Sequence, residues 1–443
     1  MALDMASGGD GSRASEGRPT QDLPITALAR ISLFWLGLTS IDAVVNAAVQ
    51  SRIKFEHIVE PGTEGTSLAI VALLTFVFSV AVQPTVGSIS DYATTRWGRR
   101  KPFIVFGALF DALFLIGIAT ANSLMAIAAF VVLLALSTNI ARGPFQGYVP
   151  DLVPDRQVGL ASSMVGLMQV VGNVLGFGLS ALANTRGNVG IAILAIAAVE
   201  FATMLSVVLR VPSGPPAKPR EGRSWLSIAA ETWGTDILRE RSYLWLLASR
   251  LFILMGGAAV LNFVVLYLSD THGLTQQESG GPFLQMLGAA FIASLLSIVP
   301  ASRLSDRIGR KPVIYGCSAL GMVGVALIAT APDMLVATVG ATIFGASQGT
   351  FLAVDWALMT DIIPKASSGR YMGLSNVVTA SSTTIAVAIG GPVIDAINRG
   401  YGIGTGERVE VALGVLYFLL GSLALRPVRE PARGQRAVEA PAI

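Results

Sequence analysis

The chain has 443 residues, of which 53% are hydrophobic and only 13% are charged, and it contains 47 glycines. This composition excludes an ordinary soluble globular protein and indicates a membrane protein. The net charge of +3 is too small and too dispersed for nucleic acid to be a partner. One cysteine and two histidines exclude a disulfide framework and a cysteine-based metal site, so we expect no metal and no cofactor.

Residues 1–26 are polar and rich in Gly and Ser, which predicts a disordered cytoplasmic tail without a signal peptide. Twelve apolar segments follow, each long enough to cross about 30 Å of hydrocarbon. We predict spans near residues 27–50, 66–90, 102–121, 124–148, 159–184, 189–211, 242–269, 282–301, 312–330, 333–361, 370–397 and 408–426. They form two six-helix halves, 27–211 and 242–426, joined by a cytoplasmic linker over 212–241 and followed by a cytoplasmic tail over 427–443.

The distribution of Lys and Arg predicts the orientation. If the N-terminus is cytoplasmic, the inner segments and tails carry 24 of these residues and the outer loops carry five, among them Arg52, Lys54 and Arg408. The positive-inside rule then places both termini in the cytoplasm. We expect a multi-pass monomer in the plasma or inner membrane, with the lipid bilayer as its surroundings.

A duplicated motif relates the two halves. The stretch GSISDYATTRWGRRKPFIVFG lies between the second and third spans, and SRLSDRIGRKPVIYG repeats its pattern between the eighth and ninth. Pro102 and Pro312 are 210 residues apart, and so are Asp151 and Asp361 in a second motif pair. Two motif pairs at one spacing indicate a duplicated six-helix unit, an architecture in which two halves rock about a central site.

The first of these stretches carries the pattern SDxxxxRxGRRxP, which resembles the cytoplasmic loop signature of the major facilitator superfamily. Gln83-Pro84, the loop itself and Gly143-Pro144 resemble motifs of the sucrose-proton symporters and their glycoside-cation relatives. The resemblance implies an all-α membrane fold of twelve helices in two pseudo-symmetric halves, with the first helix lining a central cavity. Gln146 stands where that group has an arginine, while Arg142 lies one turn earlier, which weakens the match to sucrose itself.

We interpret the repeated loop as a cytoplasmic gate. Its candidate residues are Gly87, Asp91, Arg96, Gly98, Arg99, Arg100, Asp306 and Arg310. Asp91 can accept charge-assisted hydrogen bonds from Arg99 or Arg100 and can face a helix N-terminus of the opposite half. The alternative is that the four clustered cations serve topology alone.

Ionisable residues inside the spans mark the candidate site, because they are costly at membrane depth. In the first half these are Asp42 with Asn46 and Gln50, and Arg142 with Asn139 and Gln146. Asp42 is the candidate proton carrier, and an ion pair with Arg142 would hold it ionised until substrate or movement breaks the pair. The alternative is a structural carboxylate.

The second half offers Arg250 and Asp355, whose similar depth predicts a pair that either couples transport or serves as a structural bridge. Asp395 lies near the outer end of its span, where we expect it to snorkel to the interface. Asp111 and Glu200 lie in spans that the resemblance places at the periphery, and the sequence gives no role for them.

The pattern as a whole predicts a secondary transporter for a small polar solute, a sugar or glycoside, in symport with protons. One alternative is an efflux antiporter for an apolar compound, whose cavity should be rich in aromatic residues and Met. Another is a non-transporting assembly factor or receptor on the same fold, as pigment-assembly relatives would allow. We do not expect an enzyme, because the spans lack a nucleophile-base spacing and a Walker A sequence is absent.

Overall fold

The computed structural model describes residues 21–214, 216–217, 219–220, 222–225, 240–362 and 368–428. Within these ranges the secondary structure is helical, and twelve helices are long and apolar enough to cross a membrane. These are α1 (Ile25–Phe55), α2 (Glu64–Ser90), α3 (Lys101–Thr120), α4 (Leu124–Leu152), α5 (Val158–Asn184), α6 (Gly190–Arg210), α7 (Arg241–Thr271), α8 (Gln276–Ile308), α9 (Arg310–Thr330), α10 (Met334–Ile362), α11 (Ser368–Tyr401) and α12 (Thr405–Leu425). The protein is an all-α, multi-pass membrane protein with the predicted number of spans.

The helix ends follow local chemistry. Pro102 lies in the first turn of α3, where a missing N–H costs nothing. Ser123 accepts a backbone N–H at the start of α4, and Thr275 and Glu278 form a capping box at the start of α8. Gly309 separates α8 from α9 at φ 105°, which a side chain would strain. These caps allow short connections between antiparallel neighbours.

The twelve helices form two halves, α1–α6 and α7–α12. In the first half α1 packs on α5 and α6, and α2 packs on α4; in the second, α7 packs on α11 and α12, and α8 on α10. The halves meet mainly where α2 crosses α11 and where α5 crosses α8. Because the number of spans is even, the start of α1 and the end of α12 lie at one face of the bundle, the terminal face. The opposite face is the distal face.

Contacts between the halves concentrate near the distal face. The backbones of Gly65 on α2 and Gly391 on α11 touch, since a Cβ on Gly391 would lie 2.6 Å from the Gly65 carbonyl carbon. At the end of α1, the Lys54 Nζ lies 2.6 Å from the Asp270 Oδ1 of α7, so an ion pair also joins the halves. The bundle is therefore closed at its distal end.

Asp395 does not snorkel, contrary to the expectation from its position. It is buried, and its carboxylate accepts backbone N–H groups of Gly65 at 3.0 Å and Thr66 at 2.6 Å. These are free N–H groups in the first turn of α2, where the helix dipole favours an anion. Asp395 on α11 thus caps a helix of the opposite half and adds to the distal closure.

Several helices extend past the predicted limits, and four cations predicted in outer loops, Arg399 of α11 among them, lie inside helices. Arg52 and Lys54 belong to α1, and Arg408 belongs to α12. The Arg52 guanidinium donates to two carbonyl oxygens at the C-terminus of α3, and Arg408 donates to two at the C-terminus of α9, at 3.0 and 2.8 Å. Because helix C-termini leave carbonyls free, the guanidinium groups of Arg52 and Arg408 satisfy those carbonyls from positions inside helices. The helices α3 and α9 are equivalent in the two halves.

Candidate functional site

A cavity of about 570 Å³ lies between the two halves in the middle of the bundle, a volume typical of small-molecule sites. Helices α1, α2, α4 and α5 line it from one side, and α7, α10 and α11 from the other. Its polar lining consists of Asp42, Arg142 and a set of amides and hydroxyls: Asn46, Gln50, Thr75, Ser79, Gln83, Thr138, Asn139, Asn173, Asn262, Gln348, Thr379, Ser382, Thr383 and Thr384.

The charged pair of the cavity is Asp42 on α1 and Arg142 on α4. The Arg142 Nη2 lies 2.6 Å from the Asp42 Oδ2, so the predicted contact is present. The Asp42 side chain is 50% exposed, whereas that of Arg142 is 18% exposed. The cavity therefore leaves half of the Asp42 side chain exposed while its carboxylate holds the arginine.

Asn46 and Gln50 continue the polar stripe of α1 and contact a break in α7. The Gln50 amide donates to the Leu261 carbonyl at 3.2 Å and accepts from the Val265 N–H at 3.1 Å. Asn46 donates to Asn262 at the same break. Gln50 therefore satisfies backbone groups that the interrupted helix leaves free, and in this conformation it joins the halves.

Other amides of the cavity keep free polar groups. Asn139 donates to a backbone carbonyl of its own helix at 2.7 Å. Gln348 on α10 packs against the α7 backbone, and its Oε1 has no hydrogen-bond partner among the described residues. Gln146 was predicted beside Arg142 and Asn139, but it does not belong to the cavity lining. The reason is depth along α4, because position 146 shares the face of Asn139 and Arg142 but lies one turn beyond Arg142, the last lining residue of the helix.

Sequence reasoning missed Gln83, Asn262, Gln348 and the hydroxyl-bearing residues of α11. The run Thr379 to Thr384 reads TASSTT, and it lines the cavity at five positions, four of which carry a hydroxyl group. That run is a signal that could have been found, because hydroxyl groups are unusual neighbours for lipid. Isolated amides such as Gln348 give no comparable signal.

The second predicted charged pair, Arg250 on α7 and Asp355 on α10, is present and buried. The Arg250 guanidinium also donates to the Thr379 hydroxyl at 3.2 Å and lies 5.9 Å from the Trp356 ring. Neither Arg250 nor Asp355 belongs to the cavity lining, although Thr379 does. The pair therefore lies one side chain behind the cavity wall.

The loop between α2 and α3 forms a charge cluster at the terminal face. The Arg100 guanidinium lies 2.9 Å from Asp91, and Arg99 lies 3.8 Å from it. Both arginines also reach the Asp151 carboxylate at the end of α4, each at 2.6 Å. Arg99 and Arg100 are buried, and Arg100 donates to the Pro144 carbonyl as well. The cluster thus ties α2, α3 and α4 together.

The other candidate gate residues of the first half are two glycines and Arg96. Gly98 has φ 91°, and a Cβ there would collide with Ser213 after α6. Gly87 faces Gly143, so that α2 and α4 pack closely beside the cavity. Arg96 is exposed and lies 5.7 Å from the Trp97 ring.

The equivalent loop of the second half has a different geometry. Arg310 pairs with Asp306 at 2.7 Å and donates to Ser305, and the Asp306 side chain is 62% exposed. Asp361 would be the equivalent of Asp151, but its side chain lies outside the described residues. The sequence repeat therefore places a similar charge pair at the terminal face of each half.

Two carboxyl groups that the sequence left without a role lie together in the first half. Asp111 on α3 and Glu200 on α6 are both completely buried, and their side chains lie next to each other. Ser137 and Thr138 of α4 donate to the Asp111 Oδ1, the latter at 2.9 Å. The pair lies behind the cavity wall, from which Thr138 separates it.

The chain is similar to known transport proteins in sequence and in structure. By sequence, the chain is 27% identical over 181 residues to Sucrose transport protein SUC4 of Arabidopsis thaliana, covering 37% of this chain and 36% of that protein. It is 32% identical over 122 residues to Solute carrier family 45 member 4 of Homo sapiens, covering 24% and 16% respectively. The matched regions thus span about a third or less of these curated relatives.

By structure, the chain is similar to the nucleoside transporter NupG, with a TM-score of 0.66 and 15% identity, covering 92% of this chain and 99% of that one. It is similar to a bacterial homolog of the human lysosomal transporter Spinster in an inward-facing and occupied conformation, with a TM-score of 0.65, 13% identity and coverages of 92% and 98%. At these identities the similarity shows the fold alone. The Major Facilitator Superfamily family model matches residues 33–387 and 252–441, and the chain therefore belongs to this superfamily, as its loop signature predicted.

Proposed function

We propose that the protein is a secondary active transporter, which moves a small polar solute by alternating access in symport with protons. The observation that carries the proposal is the cavity between the halves, where amides and hydroxyls surround an ion pair between Asp42 and Arg142. The cavity lies between the two halves and is closed at its distal end. This arrangement is expected of a transporter in which one half rocks against the other around a central site.

The substrate class we propose is a sugar or glycoside. Amide and hydroxyl side chains both donate and accept hydrogen bonds, as sugar hydroxyls require. Among the described residues that line the cavity, Phe177 is the one aromatic residue and none is Met, which disfavours an apolar efflux substrate. The similarity to sucrose transport proteins supports the same class.

The proton carrier in this proposal is Asp42. Its carboxylate is accessible from the cavity and pairs with an arginine that cannot deprotonate. Protonation of Asp42 removes the charge that holds Arg142, and the freed guanidinium then binds substrate oxygen atoms. Loss of the proton restores the ion pair and expels the solute, so proton and solute move together.

The orientation we propose places the terminal face in the cytoplasm of a cell membrane, with the protein acting as a monomer. The cluster around Asp91 then lies at the cytoplasmic end, where it holds α2, α3 and α4 of the first half together as one edge of the inner gate. In the conformation described, the distal end is closed, which corresponds to an inward-facing state. Asp91→Asn should slow transport while the protein remains folded and inserted, whereas wild-type turnover in this variant would exclude the gate.

The experiment is uptake of labelled mono- and disaccharides into proteoliposomes, with and without an inward proton gradient. Asp42→Asn should abolish gradient-driven accumulation while it retains counterflow, an exchange of labelled for unlabelled sugar that needs no net proton movement. The control is Asp22→Asn, because Asp22 also pairs with an arginine, Arg156, but at the exposed terminal face. Failure of all sugars in both assays would refute the substrate class, and gradient-driven accumulation by Asp42→Asn would refute the carrier.

A further inference from the structure

The hydroxyl groups that line the cavity share one feature, which is that the protein already uses their protons. Six of them donate to a described acceptor: Thr75, Ser79, Thr138, Thr379, Ser382 and Thr384. Thr138 donates to the Asp111 carboxylate, and the other five donate to a carbonyl three or four residues earlier in their own helix. Thr383 has no such bond among the described residues. A hydroxyl group has one proton and two lone pairs, so the six oxygens can still accept from a solute.

Four of these hydroxyl groups lie on two helices that belong to opposite halves. We call them the acceptor strip, which consists of Thr75 and Ser79 on α2 and Thr379 and Ser382 on α11. The α2 members lie ten and fourteen residues from Gly65, and the α11 members lie twelve and nine residues from Gly391. Because the two glycines touch, all four hydroxyl groups lie roughly 13 to 21 Å from that crossing along the helix axes. Both halves therefore present oxygen lone pairs at similar depth.

The geometry of the strip favours accepting over donating. The hydroxyl groups of Thr75, Ser79, Thr379 and Ser382 donate to their carbonyls at 2.9, 3.1, 3.0 and 2.7 Å respectively. The Thr379 oxygen also accepts from the buried Arg250 guanidinium at 3.2 Å, which leaves it one lone pair. A strip hydroxyl that donates to a solute must give up its carbonyl, whereas one that accepts loses no existing bond.

The opposite side of the cavity supplies donors. Arg142 of α4 can only donate. The amide nitrogens of Asn46 on α1 and Asn139 on α4 each use one of their two N–H groups on a described acceptor. A hydroxyl group of a solute between these walls can accept from α1 and α4 and donate to α2 and α11. A carboxylate, a carbonyl or a fluorine in the same place would face the strip with lone pairs against lone pairs.

We propose that the acceptor strip selects solutes by their hydrogen-bond donors. The solute it takes is a polyol, or a polyol with an amino substituent, that directs O–H or N–H groups at α2 and α11. Solutes that present a uronate, keto or fluoro group to the strip are rejected. The proposal rests on the proposed function for the transport of this solute, but binding alone reveals the selection.

The test is binding of matched solutes to the purified full-length protein, measured from the rise of its unfolding temperature with solute concentration. The probes are methyl glucopyranoside and inositol, each with single hydroxyl groups replaced by hydrogen, fluorine or an amino group. The pH is about 9, at which an amine with a pKa near 8 is largely neutral. At one or more ring positions the amino derivative should bind like the parent. The fluoro and deoxy derivatives should bind about tenfold more weakly there, because each leaves a strip oxygen without its donor.

Two neighbouring serines on α11 give a matched pair of variants. Ser381 and Ser382 both donate to α11 carbonyls at 2.7 Å, but Ser382 lines the cavity and Ser381 does not. Ser382→Ala should bind the parent about tenfold more weakly and lose the preference for the amino over the fluoro derivative at one ring position. Ser381→Ala should bind every probe like the wild type. Both variants should fold, because hydroxyl groups that bond back to their own helix do not stabilise it. Thr379→Val is a second test of the strip.

Fluoro derivatives that bind as well as the amino derivatives at every position would overturn the proposal, since the strip would then not select donors. An unchanged preference in both Ser382→Ala and Thr379→Val would also overturn it. Donor preference in the inositol series without binding of any glucopyranoside would refute the proposed sugar substrate and leave the acceptor strip intact. Binding of neither parent would overturn both proposals.

Discussion

The closest contact between the halves gives the most direct test of the alternating-access proposal. A Cβ placed on Gly391 would lie 2.6 Å from the carbonyl carbon of Gly65, about 0.8 Å short of the 3.4 Å at which ordinary van der Waals contact begins. Both atoms belong to backbone, so neither can rotate away. In Gly391→Ala the two helices must separate near the distal face, and overpacking of this kind costs about 1–3 kcal/mol.

The cost applies to the distal-closed conformation alone, because the two glycines part when the distal end opens. Gly391→Ala should therefore shift the equilibrium toward the distal-open state by a factor of roughly 5 to 150. The matched control is Gly288→Ala on α8, because an added Cβ there has no neighbouring atom of another described side chain or helix within 4 Å. That substitution should leave the equilibrium unchanged.

The assay is pulsed electron resonance between spin labels at Arg186 and Gly400, exposed positions of the two halves near the distal face. Cys317, the single native cysteine, is replaced by serine first. The variant should gain a population with longer distances that is small or absent in the wild type. A folded Gly391→Ala protein with the wild-type distance distribution would refute the view that this crossing closes the distal end.

Three further predictions concern the residues around the distal closure. Arg52→Gln should lower the free energy of unfolding by about 1–3 kcal/mol, because carbonyls at the end of α3 lose charged donors, and thermal unfolding in detergent measures this loss. Asp395→Asn weakens the cap of α2 by about 1 kcal/mol and should move the spin-label distances in the same direction as Gly391→Ala. Burial and the charge of Arg408 lower the pKa of His272 below its ordinary 6.5, so the ring is neutral above that pH. His272→Gln should therefore leave the rate of transport unchanged at every pH from about 7 upward.

The number of spans and the duplication were predictable because both follow from the chain itself. Hydrocarbon thickness sets the length of each apolar segment, and the 210-residue offset between Pro102 and Pro312 relates the halves without knowledge of their packing. The ends of the helices were less predictable. Hydropathy places Arg52 and Arg408 in loops, whereas tertiary contacts with other helices keep them helical.

Pairs of charged residues were predictable where depth alone selects the partner. Arg250 and Asp355 were matched by their similar depth, and the same reasoning applies to Asp111 and Glu200. Each of the latter lies ten residues from the terminal-face end of its helix, roughly 15 Å along the axis. Their contact was missed because α3 and α6 were treated as unrelated peripheral helices. Which helices pack together is a property of the whole bundle.

The polar stripe of α1 shows how substrate binding and opening can be coupled. In the distal-closed conformation the Gln50 amide is occupied by backbone groups of α7, and Asn46 is occupied by Asn262. A sugar hydroxyl that binds these amides competes with the contacts that hold the halves together. Because each displaced contact returns a free backbone group to the broken helix, the solute must supply replacement hydrogen bonds. A polar solute with several hydroxyl groups meets that requirement, whereas an apolar compound would leave the groups of α7 unsatisfied and the distal end closed.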